Sequence, residues 1–101
     1  AHVSYRPGLR HPIDHGAPGM ALLAGEAPLP GERAEVTVAR ARGWAASESE
    51  VIEGFRAIAA PVFDSHRVCR AALAVVFVGD VVAEEVAELV MAEAHALGSR
   101  I

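Results

Sequence analysis

Between positions 52 and 80 the chain reads IEGFRAIAAPVFDSHRVCRAALAVVFVGD, two apolar runs around a polar tetrapeptide. Small and β-branched residues fill 55–63, Asp64, Ser65, His66 and Arg67 supply turn chemistry, and 68–78 reads as a long return strand, which predicts an antiparallel hairpin. Residues 71–78 are all apolar. A strand without a polar face cannot turn one side to water, so one side is expected to meet helices and the other a ligand cavity or another subunit.

The flanking pattern supplies the remaining elements. HVSYR alternates Val3 and Tyr5 with polar neighbours and is stopped by Pro7 and Gly8, a short strand and a turn. LRHPIDHGAPG is a loop; Pro18 suits a first helical turn, and GMALLAG is then a short helix closed by Gly25. EAPLPG is a linker. Residues 32–42 predict a second helix, with Glu32 and Glu35 at its positive end, Arg40 and Arg42 at its negative end and Gly43 as C-cap. Residues 44–49 read as a strand and Glu53-Gly54 as a bend. Asp80 is the expected N-cap of a terminal helix whose apolar stripe is Val82, Val86, Leu89, Val90 and Leu97, opposite Glu84, Glu85 and Glu88, and which Gly98 ends.

Composition narrows the function. A length of 101 residues fits one small domain, and a hydrophobic fraction of 52% with only 5% aromatics means a core of Ala, Val and Leu in closely packed elements. Thirteen Asp and Glu against nine Lys and Arg leave a formal charge of −4, without the basic field that grips a phosphate backbone. The single cysteine, Cys69, excludes an internal disulfide framework and fits a reducing, cytoplasmic compartment. No apolar run approaches the roughly 18 residues of a membrane span, so no membrane contact is expected. The chain begins at Ala1 without an initiator Met and reaches HVSYR at once, which suggests that an upstream part is missing.

Candidate chemistry is sparse. His11 and His15 have the four-residue spacing of a helical metal pair, but Pro12 and Gly16 put them in a loop and only Asp14 joins them, so no metal and no cofactor is expected. Cys69 stands beside Arg70 and three residues from His66, yet a small buried apolar side chain explains it more simply than a catalytic thiol. Glu48, Glu50 and Glu53 lie in a polar segment where solvated charges are the ordinary outcome, and no enzyme is predicted. In HGAPGMA the backbone N–H groups of Gly16, Ala17, Gly19 and Met20 at a helix start can receive an anion, although a plain glycine-rich loop accounts for the same pattern and the GK[ST] of a nucleotide loop is missing.

In order along the chain, PGLRHPIDHGAPGMALLAG, ARARGWA and EVIEGFRAIAAPVFD resemble the C-terminal effector-binding domain of the IclR family of bacterial transcription regulators, with AALAVVFVG and the terminal helix continuing the pattern. The family's elements there are Gly-x-Arg-x-Pro before a Gly-Lys-Ala helix start, an Arg-x-Arg-Gly-aromatic-Ala turn, and Glu-x-x-x-Gly-x-x-x-Ile-Ala-Ala-Pro-Val-x-Asp. The resemblance implies an α+β, GAF-like antiparallel sheet with helices packed on it and a small organic effector on its concave side. The hairpin would then be the central strand pair, one face under helices and the other flooring a pocket. Residues 1–101 would form one effector-binding domain, lacking upstream strands and the helix-turn-helix that binds DNA, so DNA would be reached only through a missing N-terminal domain. A homodimer joined along the unpaired sheet edge is expected. The linker at 25–32 is shorter than usual in the family, and Gly19-Met20-Ala21 replaces Gly-Lys-Ala.

The resemblance also implies a site. The positions matching the helix-start N–H donors of the family's carboxylate binders are Ala17 and Pro18, and Pro18 has no N–H to give. With Gly19 and Met20 they form the helix-start wall; Ser47 stands at the family's acidic position, Ala74 and Val76 at its hydroxyl-bearing positions, and Phe55 and Ala57 line the floor. The implied effector is uncharged and largely apolar or aromatic, contacted by Met20 and Phe55 and anchored by the Ala17 N–H and Ser47. Arg10 would be structural or effector-adjacent rather than DNA-binding. The alternative is an interaction module that keeps the fold and dimerises without an effector.

Overall fold

The computed structural model describes residues 10–101. The order of elements is α1 (Ala17–Ala24), α2 (Ala34–Arg42), β1 (Ala45–Glu48), β2 (Arg56–Phe63), β3 (Cys69–Phe77) and α3 (Ala83–Gly98). The three strands form one antiparallel sheet in the order β1-β2-β3, so the fold is α+β as expected. The strand expected in HVSYR lies outside the described residues.

The hairpin forms where the pattern placed it. Ala57 pairs with Val76, Ala59 with Ala74 and Val62 with Ala71, with an irregularity at Val62/Phe63 where the strands enter the turn. Asp64 builds that turn: its Oδ1 accepts the backbone N–H groups of His66 (2.8 Å) and Val68 (3.0 Å). The Val68 bond is the main reason that its carboxyl is held below the ordinary value.

Strand alternation sorts the core into two clusters. Ala57, Ala59, Ala72 and Ala74 point to one face and pack with Ala17, Met20, Ala21, Ala24, Val36 and Ala39 of α1 and α2. Ile58, Ala60, Val62, Ala71, Leu73 and Phe77 point to the other, against Trp44 and Ala87, Val90 and Ala94 of α3. Both faces of the hairpin are therefore covered mainly by helices. The expectation that one whole face floors a pocket is corrected: on the α1 side, β2 and β3 border the cavity only at their far end, around Ala57 and Val76. β3 is one of the two edge strands among those described, and Val75 within it is 43% and Val78 just after it 60% exposed.

Two expectations for α3 are corrected. Asp80 does not cap it; the N-cap is Val82, without a side-chain hydrogen bond. Of the expected stripe Val90 is buried; the rest of the buried face is Ala87, Ala94 and Gly98 rather than the larger aliphatics, and Leu89 is 69% exposed. Small residues win because they let the helix axis lie close to the sheet. Gly98 belongs to the helix for the same reason: a Cβ there would stand 2.1 Å from the Phe63 carbonyl oxygen.

The arginines of ARARGWA are structural. Arg40 donates to the Leu23 and Glu26 carbonyls at the end of α1, 2.9 Å each, and pairs with Glu32. Arg42 stacks on the Trp44 ring at 3.5 Å and donates to its carbonyl. Gly43, in the left-handed region at φ 96°, closes α2.

Candidate functional site

A cavity of about 400 Å³ opens at the N-terminal end of α1. Its walls come from the start of α1 (Gly16, Pro18, Gly19), from β1 (Ser47), from the end of the hairpin (Phe55, Ala57, Val76) and from the loop joining β1 to β2 (Glu50, Val51, Ile52). A second depression, lined by Leu29, Thr37 and Arg40, is a shallow groove between the linker and α2 whose charges close on one another.

Of the nine residues expected at an effector site, six line this cavity: Pro18, Gly19, Ser47, Phe55, Ala57 and Val76. Ala17 and Met20 are fully buried in the α1–sheet packing, and Ala74 lies behind them against the same cluster. Met20 is directed inward because it is among the largest side chains filling the alanine-rich α1 layer. Arg10 is exposed and irregular, one residue before His11 at the cavity rim.

The helix start is not open to a ligand in the way the glycine pattern suggests. The Ala17 N–H donates to Ser47 Oγ at 2.9 Å, so these two anchors satisfy each other. The Gly16 N–H donates to Glu50 Oε1 at 3.1 Å, and the same oxygen accepts from the Arg33 guanidinium at 2.8 Å. Gly16 turns the chain at φ 94°, which only glycine adopts without strain, and thereby aims its N–H at that carboxylate. Arg33 also donates to the Asp14 carbonyl and pairs with Glu35. One guanidinium thus ties the loop before α1, the start of α2 and the β1–β2 loop together.

Glu50 is the cavity residue whose setting sequence reasoning missed. It reads as one of several solvated acids, but its side chain is only 24% exposed. Burial by itself pushes its pKa up; the Arg33 hydrogen bond, the Gly16 N–H and the nearby positive charge outweigh this and hold it below the ordinary carboxylate value. No local pattern gives this away, since its partners are 17 and 34 residues distant. The loop itself is pinched shut: the Ser49 N–H donates to the Phe55 carbonyl at 2.8 Å and Ser49 Oγ accepts from the Gly54 N–H at 2.9 Å, with Ser49 at φ 54°. Val51 and Ile52 are held against the cavity as a result.

The other candidates are ordinary. Burial raises the Cys69 thiol pKa, the reverse of activation, and Arg70 lies 3.6 Å from Asp64. His11 lies in irregular chain and His15 closes the turn before α1, its Nε2 3.9 Å from Asp14. No group of three or more potential metal ligands converges among the described residues, and no helix among them is long and apolar enough to cross a membrane.

Residues 30–101 match the model of the bacterial transcriptional regulator IclR C-terminal family. Among solved structures, the repressor BlcR of Agrobacterium tumefaciens is similar at 22% identity and a TM-score of 0.76 over 94% of this chain and 49% of BlcR. HmgR of Pseudomonas aeruginosa is similar at 24% identity and a TM-score of 0.74 over 99% of this chain and 49% of HmgR. The C-terminal domain of the E. coli transcriptional regulator KdgR is similar at 26% identity and a TM-score of 0.66 over 90% of this chain and 69% of that domain. The chain therefore spans about half the length of BlcR and of HmgR. The comparison with curated proteins found no match. The antiparallel sheet with helices on both faces and the family match over 30–101 agree, and the chain belongs to the IclR family of bacterial transcriptional regulators, matching its C-terminal region.

Proposed function

We propose that this chain is a ligand-sensing domain of a cytoplasmic transcription regulator, and that the cavity at the start of α1 holds a small, uncharged, largely apolar or aromatic effector. DNA binding would belong to a domain outside these residues, since the chain is acidic and carries no basic field. The observation that carries the reading is the cavity itself: four segments of the fold converge on about 400 Å³ lined in part by Val51, Ile52, Phe55, Ala57 and Val76. An apolar ligand gains about 25 cal/mol for each Å² it removes from water there, whereas an unpartnered carboxylate loses several kcal/mol. Thermal denaturation against a panel of neutral aromatics and small acids tests this. Neutral aromatics are expected to raise Tm, by an amount equivalent to about 2.7 kcal/mol at one hundred times Kd; a panel in which only glyoxylate or pyruvate does so overturns it.

The exposed outer strand favours self-association as well. Val75 on β3 and Val78, Val81 and Val82 after it are all at least 40% exposed. Pairing two copies along that strand would cover them and give a closed dimer. Sedimentation at high micromolar concentration is expected to show a dimer; monomer alone counts against it. A dimer that no panel member stabilises favours the interaction module without an effector.

A further inference from the structure

Most donors around the cavity are already used, while its acceptors are not; the Gly19 N–H and the His11 ring, which also border it, are the exceptions among the described residues. Gly16 N–H is given to Glu50, Ala17 N–H to Ser47, and Pro18 has none. The Arg33 guanidinium is held by Glu50, Glu35 and the Asp14 carbonyl. Arg56 borders the cavity too, but its guanidinium reaches the Gly79 and Val81 carbonyls and lies 5.1 Å over the Phe77 ring. Glu50, the only acid among the described residues lining the cavity, makes both of its bonds through Oε1. Its Oε2 accepts nothing from the described residues, and the Ser47 hydroxyl proton goes to none of them.

We propose that Glu50 sets the charge of the ligand: the cavity takes a neutral molecule with an apolar body and a hydrogen-bond donor, such as an alcohol or phenol hydroxyl, which Glu50 accepts, and it rejects the carboxylate of the same skeleton. The proposal rests on the cavity being the effector site. A ligand carboxylate would meet a carboxylate already in place, and of the helix-start donors that suit it Glu50 and Ser47 have taken two and the Gly16 carbonyl a third, which leaves the Gly19 N–H alone. Moving Glu50 aside would free the Gly16 N–H but part a half-buried ion pair. A hydroxyl asks for neither. Charge discrimination here is thus built from a repulsive element of the protein as much as from an attractive one.

Calorimetric titration of the 101-residue chain with 2-phenylethanol, 2-phenylethylamine and phenylacetate, one skeleton in three charge states, tests it. The wild-type chain is expected to bind the alcohol about tenfold or more tightly than the acid, the scale of one like-charge contact near a protein surface, with the ammonium compound also ahead of the acid. Glu50→Gln keeps an acceptor for Gly16 and Arg33 while removing the charge, and should narrow the alcohol-to-acid ratio to about threefold or less. Ala57→Trp fills the cavity and should abolish binding of all three. Equal rejection of the two ions by the wild-type chain, or a ratio that Glu50→Gln leaves unchanged, overturns the role of Glu50 while the cavity reading stands. No binding of any probe to the wild-type chain, or binding indifferent to Ala57→Trp, overturns the cavity reading itself.

Discussion

At its C-terminal end α1 is held by Arg40, which donates to the Leu23 and Glu26 carbonyls and pairs with Glu32; at its N-terminal end it is held through Arg33, which pairs with Glu50 and donates to the Asp14 carbonyl. Both arginines stand at the ends of α2, and each is matched by a glutamate. The first clip joins residues eight apart and fastens a short linker, with no cavity behind it beyond a shallow groove. The second spans 17 residues, recruits the β1–β2 loop and borders the ligand-sized cavity. The difference teaches that the same pair of side chains acts as a staple where its partner is local. Where the partner is brought by a separate loop, it forms the wall of a site.

The largest expected effects come from the glycines that let each end of α1 approach its neighbour. A Cβ at Gly19 would stand 1.7 Å from the Ile13 carbonyl oxygen, a backbone atom, whereas one at Gly25 would meet the Cys69 Sγ at 2.5 Å. Gly19→Ala is expected to cost about 3 kcal/mol by overpacking, and to lower Tm by roughly 10 °C or more. Gly25→Ala should cost less, and adding Cys69→Ala should recover part of the loss, since the sulfur is the nearest obstacle. Urea titrations of the three variants decide this. A harmless Gly19→Ala would mean that the loop before α1 yields, and the two ends would no longer differ in rigidity.

How much of this was legible follows the range of the interactions. The hairpin, α1 with Pro18 in its first turn and α2 with Gly43 behind it were readable because turn and cap chemistry is local. So were six of the cavity residues, through the family's pattern. α3 was misread in its cap and its buried face because a hydrophobic stripe ranks Leu89 above Ala87, while close packing on the sheet ranks them the other way. Ala17 and Met20 were misplaced for a related reason: on a helix of small apolar residues, period alone does not say which side meets the sheet and which the cavity. Glu50 was illegible because its meaning depends on Gly16 and Arg33, which only the fold brings to it.

An intermediate effect separates the two arginines by function rather than by stability. Arg40→Ala should lower Tm by unfastening the end of α1 and leave the preference among the three phenethyl probes unchanged. Arg33→Ala should lower Tm as well and also shift ligand binding, because Glu50 loses the partner that fixes it beside Gly16. Calorimetry on both variants, with Arg33→Lys to retain charge but not the planar fork, sharpens the contrast. Arg40→Ala altering the probe ranking as strongly as Arg33→Ala would break it.

The smallest expected effect is on acid stability, and here the two clips should rank in the opposite order. Hydrogen bonds from Arg40 and Thr37 hold Glu32 at about 2, against an ordinary value of 4.5. Glu50 is lowered too, but burial works against its bonds to Arg33 and Gly16. A carboxyl whose folded pKa lies below its unfolded one contributes stability that is complete above the unfolded value and is lost as pH falls through the folded value. For Glu32 the loss therefore begins below 4.5 and is complete near 2. For Glu50 it begins in the same place and spans a narrower window. Glu32→Gln should flatten the fall of Tm with acid more than Glu50→Gln does, by about a degree or two, the scale of a single ion pair in a small domain, and added salt should shrink the gap. A Tm that rises on acidification through this window in the wild-type chain would show that neither pair governs its acid stability, and a Glu50→Gln profile flatter than that of Glu32→Gln would show that the cavity-side pair and not the linker staple carries the larger charge-dependent stability.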